Sequence, residues 1–86
     1  MKLLFCVACD DVVKFGGNNE WRDCHCGKSS GRYIDSLYAE IKGEGIPIGF
    51  NNSSLVRAIR NRPEHGLGLE FTAFVIQKEC DTIKQL

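Results

Sequence analysis

Hydrophobic and polar positions alternate in short runs along this chain, broken by glycine, asparagine and proline, and only one stretch carries helical periodicity. Leu3 to Val7 and Asp11 to Phe15 are β-prone runs rich in Val, Leu and Phe. Gly16-Gly17-Asn18-Asn19 tolerates positive φ. The chain is therefore expected to reverse there and return as Glu20-Trp21-Arg22-Asp23, antiparallel to the preceding run. After Arg32 to Asp35, the residues Leu37, Ala39 and Ile41 alternate with Tyr38, Glu40 and Lys42, the period of a strand with one wet face. Gly43-Glu44-Gly45 then turns the chain into Ile46-Pro47-Ile48-Gly49-Phe50. Pro47 brings no N–H to a ladder, which confines this piece to a sheet edge or a strand end.

The helical stretch follows. Asn51, Asn52, Ser53 and Ser54 offer N-cap side chains, Leu55, Val56, Ala58 and Ile59 form an apolar stripe, and Pro63 ends the segment. Leu69 to Ile76 is the most apolar run of the chain, with Phe71, Ala73 and Val75 on one face and Thr72, Phe74 and Ile76 on the other. It reads as a central strand covered by the helix on one side and by sheet, or by the second subunit of a homodimer, on the other. Gln77 to Leu86 shows no pattern beyond a short turn.

The cysteines give these elements a centre. Cys6-Val7-Ala8-Cys9 and Cys24-His25-Cys26-Gly27 are two knuckles separated by 14 residues. Paired thiols on tight turns present four sulfurs to one metal, and zinc takes four thiolates tetrahedrally at about 2.3 Å. Reduced free thiols, disulfides or an iron centre are the alternatives to zinc at Cys6, Cys9, Cys24 and Cys26. Four sulfurs leave no open coordination position, so the metal's role would be structural. Gly27 suits a knuckle in which backbone N–H groups turn toward sulfur. Trp21 is expected to pack beside the knuckles, His25 to face solvent, and Cys80 to be a small apolar residue remote from the others. The fold class expected is α+β: a zinc-ribbon-like hairpin over residues 1–34, then a small antiparallel sheet with one main helix over residues 35–86, within one domain.

Composition supports this reading and narrows the function. A chain of 86 residues buries only about 60–65% of its unfolded surface. A structural zinc, with about 10–16 kcal/mol of apparent binding energy, would compensate for so small a core. Eleven basic and eleven acidic side chains cancel, so no overall positive field draws the chain to a nucleic-acid backbone. The apolar start, Met1 to Cys9, gives way to Asp10-Asp11 too soon for a secretory signal, and no run reaches the ~20 residues of a membrane span. A cytoplasmic setting is expected, where thiols favour metal over disulfide.

Glycines also punctuate the approach to the helix, and its N-terminus is suited to a phosphate or carboxylate through free N–H groups and the helix dipole. Asn51, Asn52, Ser53 and Ser54, with Arg57 and Arg60 further along, are the candidate ligand-binding residues; ordinary capping is the alternative. Arg57, Arg60 and Arg62, with Lys28 and Arg32, could form a local basic patch or a solvated face balanced by Glu64 and Glu70. Asp10, Asp11, Asp23 and Asp35 do not pair with a histidine or nucleophile at a spacing that suggests catalysis, and no enzyme is expected.

The segments Cys6-x-x-Cys9-x-Asp11-Val12-Val13, Arg22-x-Cys24-x-Cys26-Gly27-x-Ser29-x-Gly31-x-Tyr33 and Gly49-Phe50-Asn51-Asn52-Ser53-Ser54-Leu55 resemble small zinc-ribbon-like proteins of phages and bacteria. That resemblance implies a zinc ribbon joined to a small α+β unit and brings no activity with it. Short phage proteins include some that sequester nucleotide signals of host defence, which makes such a role conceivable. The expectation is a non-enzymatic module that binds a phosphate-bearing small ligand such as a cyclic nucleotide. A zinc-ribbon adaptor contacting a protein through Trp21, Phe50 and Phe71 to Ile76 is the alternative, and nucleic-acid binding is a third.

Overall fold

In the computed structural model, which describes residues 2–86, the elements follow the order β1 (Lys2–Phe5), β2 (Val12–Lys14), β3 (Arg22–Asp23), β4 (Ser29–Tyr33), β5 (Ala39–Gly43), β6 (Ile46–Phe50), α1 (Asn52–Arg60), β7 (Ala73–Val75) and β8 (Ile83–Gln85). They build an α+β fold of two four-stranded sheets, ordered β2-β1-β6-β7 and β3-β4-β5-β8. Both sheets draw on both halves of the chain. β1 pairs with β2 and with β6, and β4 pairs with β3 and with β5.

The chain reverses at Asn18 and Asn19, with φ of 55° and 64°, but the returning strand does not pair with β2. Gly16 leaves β2 and docks on β4: its N–H donates to the Gly31 carbonyl at 3.1 Å, and the Gly16 carbonyl accepts the Tyr33 N–H at 2.7 Å. The chain thereby crosses from one sheet to the other, and Arg22–Asp23 meets Ser30 and Gly31 instead. Each cysteine knuckle consequently sits in its own hairpin, β1–β2 or β3–β4.

Pro47 is interior to its sheet, between β1 and β7. Its carbonyl accepts the Ile76 N–H at 2.9 Å, so its nitrogen also faces the β7 side, where β7 has already ended at Val75. The missing donor removes no bond to β1, and the expected edge position is unnecessary.

Leu69 to Ile76 departs furthest from expectation. Only Ala73–Val75 is strand, it lies at an edge, and all three residues are exposed. The helix does not cover it either. No residue of α1 is buried, and Val56 and Ile59 of the apolar stripe face solvent. What ties the helix to β7 is polar: Thr72 donates its N–H to Ser54 Oγ at 2.9 Å and accepts from the Asn51 N–H at 2.8 Å. The tail, which carries no readable pattern, supplies β8, parallel to β5 with Ala39 opposite Ile83.

The core lies between the sheets. Leu4 is fully buried and clusters with Phe15, Ala39 and Ile41, while Val13, Tyr33 and Ile83 pack around them. The β5 alternation thus places Ala39 and Ile41 inward as expected, whereas Leu37 falls in the preceding turn and is exposed. Gly31 lies directly beneath the Phe15 ring, where a Cβ would sit 3.2 Å from ring carbons. Glu40 is buried on the other face and is held by Arg32, whose Nε donates to its carboxylate at 2.8 Å.

Because the core is this small, Leu4→Ala is expected to cost about 2–5 kcal/mol in chemical denaturation. Leu67→Ala, at a side chain 99% exposed, should change stability by less than about 0.5 kcal/mol.

Candidate metal centre

Cys6, Cys9, Cys24 and Cys26 converge with all four sulfurs within 4.8 Å of one another. All are free thiols. The Cys6–Cys26 and Cys24–Cys26 sulfur separations are 3.7 and 3.6 Å. Four sulfurs at about 2.3 Å from one ion form a tetrahedron with edges of roughly 3.8 Å, so this cluster could hold a metal ion with little rearrangement. A disulfide would require about 2.05 Å.

The two knuckles are built alike. In the first, the Cys6 N–H donates to the Asp11 carbonyl at 2.9 Å and the Asp10 N–H to the Cys6 carbonyl at 2.8 Å. In the second, the Cys24 N–H donates to the Ser29 carbonyl at 3.0 Å and the Gly27 N–H to the Cys24 carbonyl at 3.1 Å. Each turn exits through a left-handed residue directly after its second cysteine, Asp10 at φ 59° and Gly27 at φ 79°. The glycine is as expected at its position; the aspartate does the same work in the first knuckle.

Two supporting residues were not evident as such in the sequence. Asp11 Oδ2 accepts the His25 N–H at 2.8 Å and so links one knuckle to the backbone of the other. Ser29 Oγ is fully buried and has no hydrogen-bond partner. Its hydroxyl is the largest influence holding the Cys6 thiol down to about 6, against the opposing effect of burial and with help from the Cys9 and Ala8 backbone. At Cys24, burial and the Cys6 thiol work against ionisation, yet the Ser29 backbone and the Cys26 and Cys9 thiols leave the group below its ordinary value. Cys26 receives a lowering contact from the Lys28 backbone, but burial and the other three sulfurs push it up to about 11. Crowded thiolates repel, and a cation at their centre is what allows all four to ionise together.

His25 is exposed and takes no part in the sulfur cluster. Trp21 lies beside two cations, with Lys42 Nζ 4.1 Å and the Arg32 guanidinium carbon 4.4 Å from its ring centre. Cys80 is half-buried, and its sulfur lies 3.3 Å from Thr82 Oγ1.

The residues expected to bind a ligand separate into two sets. Asn51 and Ser54 are engaged locally: the Ser54 N–H donates to Asn51 Oδ1 at 2.9 Å, and the Ser54 hydroxyl donates to the Asn51 carbonyl at 2.9 Å while accepting from Thr72. Asn52, Ser53, Arg57 and Arg60 line a shallow groove of about 470 Å³ with Val56 and Asn61. Arg57, Arg60 and Arg62 are not balanced by Glu64 and Glu70, because among the described residues Arg32–Glu40 is the single ion pair. No described helix is long and apolar enough to cross a membrane.

Titration with cobalt(II) should saturate at about one equivalent per chain with sulfur-to-metal charge-transfer absorption, be lost in Cys6→Ser, and persist in Cys80→Ser. Affinity should fall at least tenfold per unit as pH drops from 8 to 6. The Cys26 thiol, protonated throughout that range when metal-free, must release its proton to bind; a pH-independent affinity would contradict this coordination. No family model, curated protein or solved structure matches this chain.

Proposed function

We propose that the protein is a non-enzymatic interaction module whose four-cysteine centre holds a structural zinc ion and whose exposed apolar end contacts a protein. Zinc is the ion that four thiolates on hairpin turns suit best, having no redox chemistry and no preference against a tetrahedron. With four sulfurs bound, the ion has no position for water or substrate, so its contribution is to fix the two hairpins. The observation that carries the interaction reading is the placement of the chain's most apolar run on the surface: Leu69, Phe71, Phe74 and Val75 are 43–70% exposed. Phe50, half-buried, meets Phe71 edge-on with ring centres 5.6 Å apart. Exposed apolar groups gathered at one end of a small protein mark a contact surface.

A second reading rests on the groove along α1. Asn52, Ser53, Arg57, Arg60 and Asn61 offer donors there without a carboxylate among the lining residues, an arrangement compatible with a phosphate-bearing small ligand such as a cyclic nucleotide. A chain that held such a ligand without transforming it would act by sequestration.

Elemental analysis after gentle purification should find about one zinc per chain, and a strong chelator should abolish the folded far-UV spectrum; a folded, metal-free protein would overturn the structural role. Immobilised zinc-loaded protein should capture a partner that Val75→Lys, with unchanged zinc content, does not. Calorimetry with inorganic phosphate and with mono-, di- and cyclic nucleotides tests the groove: binding should weaken at least tenfold in Arg57→Gln/Arg60→Gln, and absence of heat with every probe removes this second reading.

A further inference from the structure

Four strands lie at sheet edges, and three carry charge. β2 has Lys14, β3 is Arg22–Asp23 and β8 has Lys84. Charged side chains are the usual guard against an edge pairing with another chain. β7, Ala73-Phe74-Val75, has no charge, no proline and no further strand beyond it.

Its hydrogen-bonding groups are correspondingly free. Thr72 and Ile76 bond toward β6, through the Thr72 carbonyl to Asn51 and the Ile76 N–H to Pro47. Strand alternation then turns the N–H and carbonyl groups of Ala73 and Val75 outward. Two donors and two acceptors stand in a row, flanked by Phe71, Phe74 and Val75, all exposed.

The molecule also carries more surface than its size warrants. Its accessible area is 6352 Å², whereas a compact monomer of 9.6 kDa exposes roughly 5,100 Å². The Cα radius of gyration, 14.2 Å, exceeds the ~12 Å expected at this length. The surplus area, roughly 1,200 Å², is more than the ~800 Å² that each partner contributes to a standard interface.

We propose that the partner at this end is a second copy of the chain, joined through β7 to β7 about a two-fold axis at Phe74; this rests on the interaction-module reading above. In the antiparallel register that places Ala73 of each copy opposite Val75 of the other, all four outward groups of one strand pair with all four of its mate. Phe74 then faces its own symmetry mate across the non-hydrogen-bonded position, where side chains approach most closely. The two sheets containing β7 become one eight-stranded sheet. A self-complementary strand of this kind is what a two-fold interface requires.

Sedimentation velocity on the zinc-loaded chain from about 1 to 200 µM tests the pairing. The expected result is a species of twice the 9.6 kDa chain mass. Ala73→Pro removes an outward N–H, and Val75→Lys places a charge at a side chain 70% exposed. Each should weaken association at least tenfold with zinc content and far-UV spectrum unchanged. A wild-type chain that stays monomeric at 200 µM, or a dimer indifferent to Ala73→Pro and Val75→Lys, overturns the proposal. If the wild type is monomeric while the Val75→Lys-sensitive capture of another protein persists, the second copy alone is wrong; loss of both overturns the interaction module too.

Discussion

Convergence of four sulfurs is the constraint on which the rest of the structure depends. Cys6 and Cys9 belong to the β1–β2 hairpin of one sheet, Cys24 and Cys26 to the β3–β4 hairpin of the other. Between those sheets the buried apolar cluster amounts to Leu4, Phe15, Ala39 and Ile41, with three partly buried neighbours. A core of that size is marginal in a chain of 86 residues. An ion bound at the knuckles would therefore act as a rivet between layers, and Asp11, reaching the His25 backbone, reinforces the same joint without metal. The buried Ser29 hydroxyl and the backbone N–H groups around Cys6 favour its thiolate, so the peptide itself prepares the site for a cation.

How much of this was legible in the sequence depended on whether a signal was local. The knuckles, the asparagine turn, the cap at Asn51 and the inward pair Ala39 and Ile41 are set by nearest neighbours, and each lies where residue type and spacing put it. The α+β class with its ribbon-like start follows from them. Pairing was not local. Nothing in Arg22–Asp23 says that it meets β4, because Gly16's docking on Gly31 and Tyr33 decides it. Pro47 reads as an edge residue until the position at which β7 ends is known. β8 is too short to show a period, and it is strand because Ala39 and Ile41 offer it an open edge.

The run from Leu69 to Ile76 shows the reverse problem. Its composition predicts burial, yet most of it stays exposed: α1 turns Val56 and Ile59 to solvent and is tied to Thr72 by polar bonds. Hydrophobicity alone does not place a segment inside the chain that carries it, and Leu69, Phe71, Phe74 and Val75 stay exposed.

The parallel pairing of β8 with β5 has a consequence for the order of assembly. Gln85 reaches Gly43 across 42 residues, whereas the two cysteine pairs lie within a span of 21 residues. Chain closure costs more entropy as the loop lengthens, and non-local pairings form late for that reason. Sheet closure at β8 and the equally distant pairing of β1 with β6 are thus late steps, while the knuckles can gather early and give the nascent layers a fixed point to grow from. The sulfur cluster would then act as a nucleus as well as a fastener, and its loss would slow folding as well as unmake the finished structure.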